Sequence, residues 1–417
     1  MSRILEIVAP KRMGTNFRWL IGSSWTSQIG DGVALAAGPL LIASQTHDPF
    51  LVAMGVLVQR LPWLLFGLYA GAVADRLDRR RLVITVDLLR VLALAVLVAA
   101  IAGDVLSVGV VLVALFCFGT SEVFADTTSS TLLPMVVDKR DLGVANARLM
   151  AGFVTVNQML GPPLGAALFT AGLVWPFVTQ AVFVLLSALL IGRMQIPPPP
   201  VREQRRVRDD IMEGLRWTWH HRAVRTLTLT IVTFNITYGA AWSVLVLYAV
   251  KTLDMGEVGF GLLTTAAAVG GLLGLGMYGW LERRYSLGNI MRVGLLIETF
   301  THLALALNRS GSLALVILFV FGAHAFVWGT TSRTVRMRAV PTEFQGRVGS
   351  VYLVGVFGSM VIGTAVGGVI AGLWGITAPF WFGFVGSGML VALIWRQMPH
   401  IAHADSDDDP GATQEAR

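Results

Sequence analysis

The chain has 417 residues, a length that would ordinarily hold two or three soluble domains. Composition excludes that reading. Charged residues make up 14%, against ~25% in ordinary globular chains, hydrophobic residues 55% before the 45 glycines are added, and mean hydropathy is +0.68. One cysteine, Cys117, excludes a disulfide framework and a cysteine-based metal cluster.

A bilayer-spanning helix needs about 20 mostly apolar residues. Twelve such stretches follow one another, near 18–45, 50–74, 82–102, 106–130, 142–171, 174–195, 223–250, 257–281, 288–307, 311–332, 345–372 and 377–397. Any one alone could be a buried helix of a soluble protein; twelve in succession read as an all-α integral membrane protein. The first stretch is too long for a secretory leader, and no short apolar run with a cleavage site precedes it, so no cleaved signal peptide is expected. Of the 32 Lys and Arg residues, 28 fall on one side of this map, in the N-terminal segment, loops 2–3, 4–5, 6–7, 8–9 and 10–11, and the tail. The other side has Lys251 and Arg309; Arg60 and Arg90 lie within spans. The positive-inside rule then places both termini in the cytoplasm, with the chain expected in the cell's inner membrane. The net charge of +7 is thereby a feature of topology, and no nucleic-acid partner is expected.

The longest hydrophilic stretch, 196–222, opens with Pro197 to Pro200, a stiff extended linker. Ile211, Leu215 and Trp219 then recur at helical spacing, which predicts an amphipathic helix on the inner leaflet. This segment divides the chain into a cytoplasmic segment 1–17, six spans over 18–195, the linker, six spans over 223–398, and an acidic, disordered tail 399–417. The halves resemble each other. Pro134, Ala147-Arg148, Gly161-Pro162-Pro163-Leu164-Gly165 and Pro176-Phe177 recur as Pro341, Gly346-Arg347, Gly363-Thr364-Ala365-Val366-Gly367 and Pro379-Phe380, 199 to 207 residues later. Asp75-Arg76 recurs as Glu282-Arg283. Such internal repeats are a signature of transporters.

Loop 2–3 carries Gly71, Asp75, Arg76, Asp78, Arg79, Arg80 and Arg81. Gly71 lets two helix ends approach closely, and Asp75 suits the N-terminus of an adjacent helix, whose dipole favours an anion. The arginines would pair with acids across the loop, forming a latch that holds one conformation. For Arg80 and Arg81 a plain positive-inside cluster is an equal reading. Asp87 and Arg90, one turn apart in span 3, read as partners of these arginines.

This pattern is similar to the loop 2–3 signature of the major facilitator superfamily. Leu132-Leu133-Pro134, Leu142, Ala145-Asn146-Ala147, Gly161, Pro162, Pro163, Leu164 and Gly165, with Val340-Pro341 and Gly346-Arg347-Val348 in the second half, resemble its drug–proton antiporter branch, which includes macrolide exporters and the enterobactin exporter. The likeness runs over about 15 to 400. It implies twelve helices in two pseudo-symmetric six-helix bundles around a central cavity that opens alternately to either side, and a monomer. In that branch the span 5 motif accompanies export and seals the bundle interface; read from the residues alone it is a proline kink among small, closely packing residues. The matching region of span 11 lacks proline, so a sharp bend is not expected there.

Ionisable groups within spans are costly and therefore candidates for function. Asp31 and Arg60 lie at similar depths, ~20 and ~15 Å along their helices, and could pair. The pair is either a static salt bridge or a proton switch, since burial and a neighbouring guanidinium act in opposite senses on a carboxylate's hold on its proton. Glu122 and Asp126, four apart, share a helix face and would compete for ionisation, binding a proton or a cationic substrate; Asp126 otherwise belongs to the cytoplasmic rim. Glu298 and His302 stand at i,i+4 in span 9 and His324 in span 10, as titratable or packing residues. Trp25, Trp63, Phe124, Phe234, Tyr238, Trp242, Phe326 and Trp328 are candidate cavity aromatics.

No phosphate-binding Gly-x-x-x-x-Gly-Lys-Ser/Thr loop occurs, no His/Cys cluster has metal spacing, and no soluble domain could host a reaction. No cofactor is expected. The leading expectation is a proton-coupled exporter of a partly apolar small molecule. Alternatives are an exporter dedicated to one siderophore or antibiotic and an uptake symporter. A membrane enzyme would need a catalytic constellation that the sequence lacks.

Overall fold

A computed structural model describes residues 11–138, 141–195, 207–341 and 344–395. The expected tetraproline linker, the acidic tail, and Lys139 and Arg140 lie outside them. Within the first 195 residues the helices are α1 (Gly14–Gln45), α2 (Pro49–Arg76), α3 (Arg79–Ala102), α4 (Val108–Val136), α5 (Leu142–Gly152), a π-helical segment Phe153–Leu160, α6 (Gly161–Ala171) and α7 (Trp175–Ile191). An intervening helix, α8, spans Val207–His220. Then follow α9 (Arg222–Trp242), which continues through a turn and a π segment to Thr252, α10 (Gly256–Arg284), α11 (Leu287–Leu307), α12 (Gly311–Ala339), α13 (Gln345–Trp374) and α14 (Ala378–Ile394). Among the described residues no strand is present.

Local chemistry sets these boundaries. Asp48 accepts from the Phe50 amide at 2.9 Å with Pro49 next in line, and Asp78 accepts from the Arg81 amide at 3.1 Å. Ser107 and Ser310, 203 residues apart, cap α4 and α12 in the same way, each hydroxyl accepting from the amide three residues on. Each such cap is worth ~1 kcal/mol. Pro176 and Pro379 stand in the first turns of α7 and α14, where a missing N–H costs nothing. Caps and prolines thus repeat with the spacing read from the sequence.

Among the described residues, eight helices are long and apolar enough to cross a membrane by length and composition: α2, α3, α4, α9 with its continuation, α10, α11, α12 and α13. The other expected spans differ for physical reasons. Helices α7 and α14 are apolar but have 17 residues each, ~26 Å at 1.5 Å per residue. The stretch 142–171 is broken into two 11-residue helices by the π segment. Helix α1 has 32 residues with a polar first half.

Packing follows the repeat. Helix α1 lies against α6 and α7, α2 against α4, and α3 against α4 and α7; correspondingly α9 lies against α13 and α14, α10 against α12, and α11 against α12 and α14. Across the halves the main contacts are α2 with α13 and α6 with α10. At the end away from the basic loops a single apolar core crosses the divide, with Leu40, Phe118, Phe169 and Phe177 joined to Val246, Tyr248, Phe260 and Phe380. At the basic end the cores are separate, one around Phe17, Leu132 and Ile191 and the other around Leu227, Met291 and Val335. The halves therefore meet at one end and part at the other.

Helix α8 is held to the second half. Arg347 donates to Glu213 at 2.7 Å, and Gly214 lies so close to the Arg347 backbone that a Cβ there would come within 2.7 Å of its carbonyl carbon. Leu215 and Trp219 remain exposed, as an apolar face turned to lipid would be.

Candidate functional site

Asp31 and Arg90 form a buried ion pair, 5% and 2% exposed. Ser27, one turn before Asp31, donates to its second carboxylate oxygen at 3.2 Å. The pairing corrects the sequence expectation twice. Asp31 meets Arg90 of α3 and not Arg60, and Arg90 is turned into the first half and not toward the loop 2–3 arginines. Depth along a helix was readable; direction around it was not. Helix α3 packs on α4 and α7, and a guanidinium side chain reaches from there to Asp31.

Asp87 is also buried, and its Oδ1 has no hydrogen-bond partner. Glu122 and Asp126, half-buried on α4, complete the group: Asp31, Glu122 and Asp87 all act electrostatically on Arg90, and Asp126 feels all four. Arg60 is felt by Glu122 from the cavity side. Four carboxylates thus share two guanidiniums in a low-dielectric interior, and full ionisation would leave two uncompensated charges. Such a cluster has room for protons to arrive and leave.

A cavity of about 450 Å³ lies between the halves. Arg60 lines it, whereas Asp31, Glu122 and Asp126 are not among its lining residues. Among the expected aromatics Phe234, Tyr238, Trp242, Phe326 and Trp328 line it, all from the second half. Tyr238, Trp242 and Phe321 stack with centroids 4.4 to 5.9 Å apart. Trp63 instead stacks on Phe357 across the halves at 5.2 Å, Phe124 packs by Phe66, and Trp25 donates to the Arg148 carbonyl. The cavity amides Gln59, Gln158 and Asn235, and the pair Glu298 and His324, were not singled out as lining residues by any local pattern.

In the expected latch, Gly71 lies by Thr127 at the end of α2, and the side chains of Asp75 and Arg76 fall outside what is described. Arg79 donates to the Ala74 carbonyl at 3.2 Å, and Arg80 donates to the Gly192 carbonyl.

The span 5 motif is a close-approach surface. A Cβ added at Gly32 would sit 2.8 Å from Asn157 Cα and 2.9 Å from Gly161 Cα, and one at Gly165 would sit 2.9 Å from the Val33 carbonyl carbon. The second half repeats this with Gly239 against Met360, Gly363 against Ile236 and Gly367 against Ala240. There α13 is continuous, as expected without proline. In the first half Pro162 and Pro163 begin α6, and the π segment precedes them. Pro163 lacks the N–H that would serve the Met159 carbonyl. Thr265 of α10 lies 2.9 Å from that carbonyl and 3.0 Å from its own Gly261 carbonyl, and donates between them across the two halves. Thr265→Val is expected to cost about 1 kcal/mol, seen as a lower melting temperature of the purified protein that Thr265→Ser restores.

The family model described as "transmembrane secretion effector", of the major facilitator type, matches residues 7–415. The chain belongs to this family. Members of the secretion effector family are membrane transporters, not enzymes, and the chain is accordingly a multi-pass major facilitator transporter. It is 27% identical over 380 residues to the multidrug efflux pump Tap of Mycolicibacterium fortuitum, covering 87% of this chain and 90% of that one. It is 23% identical over 379 residues to the putative bacilysin exporter BacE of Bacillus subtilis strain 168, covering 87% and 92%. Its fold is similar to that of a bacterial homologue of the iron transporter ferroportin in an inward-facing state, with TM-score 0.74, 16% identity and coverage of 93% and 98%. The nucleoside transporter NupG also gives TM-score 0.74, at 12% identity and coverage of 92% and 100%.

Proposed function

We propose that the chain exports partly apolar, drug-like small molecules in exchange for protons, by alternating access. In this reading twelve spans form two six-helix bundles, 18–195 and 223–398, joined by the linker 196–222. Residues 1–17 and 399–417 are cytoplasmic, and a monomer works in the inner membrane. The observation that carries it is the buried Asp31–Arg90 pair amid Asp87, Glu122 and Asp126. A proton arriving on Asp31 cancels its charge and frees Arg90 for Glu122 or Asp87. That change of partner sits one residue from the Gly32–Gly161 contact, where the backbones of α1 and α6 pack closely. The joined core on the side away from the basic loops corresponds to a cavity open to the cytoplasm, ready for loading.

The gradient is sufficient: ~100 mV supplies ~2.3 kcal/mol per charge, enough for one proton to concentrate a neutral solute tens of fold. Similarity to the efflux pump Tap and the span 5 motif support outward direction. Similarity to a putative bacilysin exporter favours, as a second reading, a dedicated exporter of one antibiotic. The test is accumulation of a fluorescent drug panel in cells expressing wild type or Asp31→Asn, with and without a protonophore. Lower accumulation that needs both Asp31 and the gradient is expected. Efflux by Asp31→Asn with undiminished protonophore sensitivity contradicts the role of Asp31, and uptake contradicts the direction.

A further inference from the structure

The second half contains an ionisable group that the proton pathway above does not use. Glu298 of α11 projects into the cavity wall, and its two oxygens face two imidazoles. His324 Nε2 of α12 lies 3.2 Å from one, and His302 Nε2, one turn along α11, lies 3.6 Å from the other. His302 is fully buried and neither of its ring nitrogens has a hydrogen-bond partner. The His324 ring stands between Phe321 and Trp328, and Phe321 continues into the stack with Trp242 and Tyr238.

We propose that Glu298 is the recognition site for organic ammonium or phosphonium ligands with an apolar body, and that ligand binding there excludes protonation of the His302–His324 pair. The proposal rests on the export reading for its physiological direction and deepens it by naming the substrate class. With both imidazoles neutral, the cluster carries one negative charge beside aromatic faces, which attract a cation through the ring quadrupole. With one imidazole protonated the cluster is neutral, and the attraction for a cationic ligand is gone. Cation and proton therefore compete for one carboxylate, which is exchange in its simplest form. The three groups do not converge on a metal ion.

The surroundings leave these groups in control. Helix α14 has no ionisable side chain, and α10 has its own only near its ends, Glu257 and then Tyr278, Glu282, Arg283 and Arg284. Helices α9 and α13 contribute Tyr238 and Tyr352 to the cavity wall, and α9 begins with Arg222 and Arg225. Arg292 of α11, Arg333 of α12 and Arg347 of α13 belong to the basic end, and Arg336 of α12 lies over the Tyr352 ring at 3.8 Å. Arg60 of α2 faces the cavity from the other half and has Glu122 in electrostatic range.

The test measures binding calorimetrically in the full chain in lipid nanodiscs, with no gradient present. The probes are tetraphenylphosphonium and its neutral analogue triphenylphosphine oxide. Wild type is expected to bind the cation about tenfold more tightly at pH 7.5 than at pH 5.5, because protons compete with it for Glu298, and to bind the neutral probe equally at both. Glu298→Gln is expected to lose about tenfold in cation affinity at pH 7.5 and to keep its affinity for the neutral probe. His302→Gln/His324→Gln is expected to bind the cation independently of pH. The proposal is overturned if wild type fails to bind the cation or binds it equally at both pH values, or if Glu298→Gln binds it undiminished or loses both probes alike. Because binding is read without transport, failure of export in cells alongside this pattern would count against the export reading alone.

Discussion

Replacing Arg90 by leucine is expected to cost about 3–5 kcal/mol and to abolish transport, because it strands buried carboxylates that share the guanidinium. Asp31 is 5% exposed and Asp87 2%, so water cannot take over the lost contact. The measurement is melting of the purified protein together with the amount inserted in membranes. Asp31→Asn combined with Arg90→Gln removes both charges of the pair and lets the two amides hydrogen-bond. That double variant is expected to recover most of the lost stability while remaining unable to couple transport to a gradient. Recovery of stability without recovery of transport separates the structural role of the pair from its role in coupling. An Arg90→Leu protein that melts like wild type would show that the pair carries little of the fold.

Gly32→Val is expected to be nearly as damaging, costing about 3 kcal/mol through overpacking. The added side chain would meet Asn157 and Gly161 backbone atoms, which cannot move aside as a flexible side chain would. Separation of α1 from α6 would also pull Asp31 away from Arg90, so loss of transport should exceed what the lost stability accounts for. Gly239→Val probes the corresponding contact in the second half, against Met360 and Thr364. Gly276→Val is the control: nothing lies within 4 Å of its Cβ direction, and the change should stay within about 0.5 kcal/mol. Equal melting temperatures for Gly32→Val and Gly276→Val would rule out the close-packed account of the span 5 motif.

Much of this architecture is legible in the sequence because membranes impose one-dimensional rules. Apolar length, basic loops and capping residues depend on neighbours along the chain, and they place helix ends such as Asp48, Asp78, Ser107 and Ser310. The repeat extends this to pairs of glycines, since Gly161 and Gly363 perform matching contacts on Gly32 and Ile236. What is lost is rotation about each helix axis. Asp31 and Arg60 have similar depth, yet the partner of Asp31 comes from α3, through a side chain long enough to reach it. Glu122 is legible as an acid within a span, but which side of α4 it occupies depends on how that helix is turned. His324 and Glu298 are 26 residues apart on different helices, and no spacing rule joins them. The π segment before Pro162 likewise arises from two consecutive missing donors and from a hydroxyl supplied by the opposite half.

The most direct test of proton-coupled exchange is made in proteoliposomes with a defined orientation. A proton gradient is imposed with the acidic side facing the non-cytoplasmic surface, and movement of a fluorescent substrate is followed together with lumenal pH. Wild type is expected to move substrate against its gradient toward the acidic side, with protons flowing the other way only when substrate is present. Asp31→Asn should equilibrate substrate without accumulating it and without the proton flux. Uphill movement by wild type with no substrate-dependent proton flux, or by Asp31→Asn as fast as by wild type, would contradict the account.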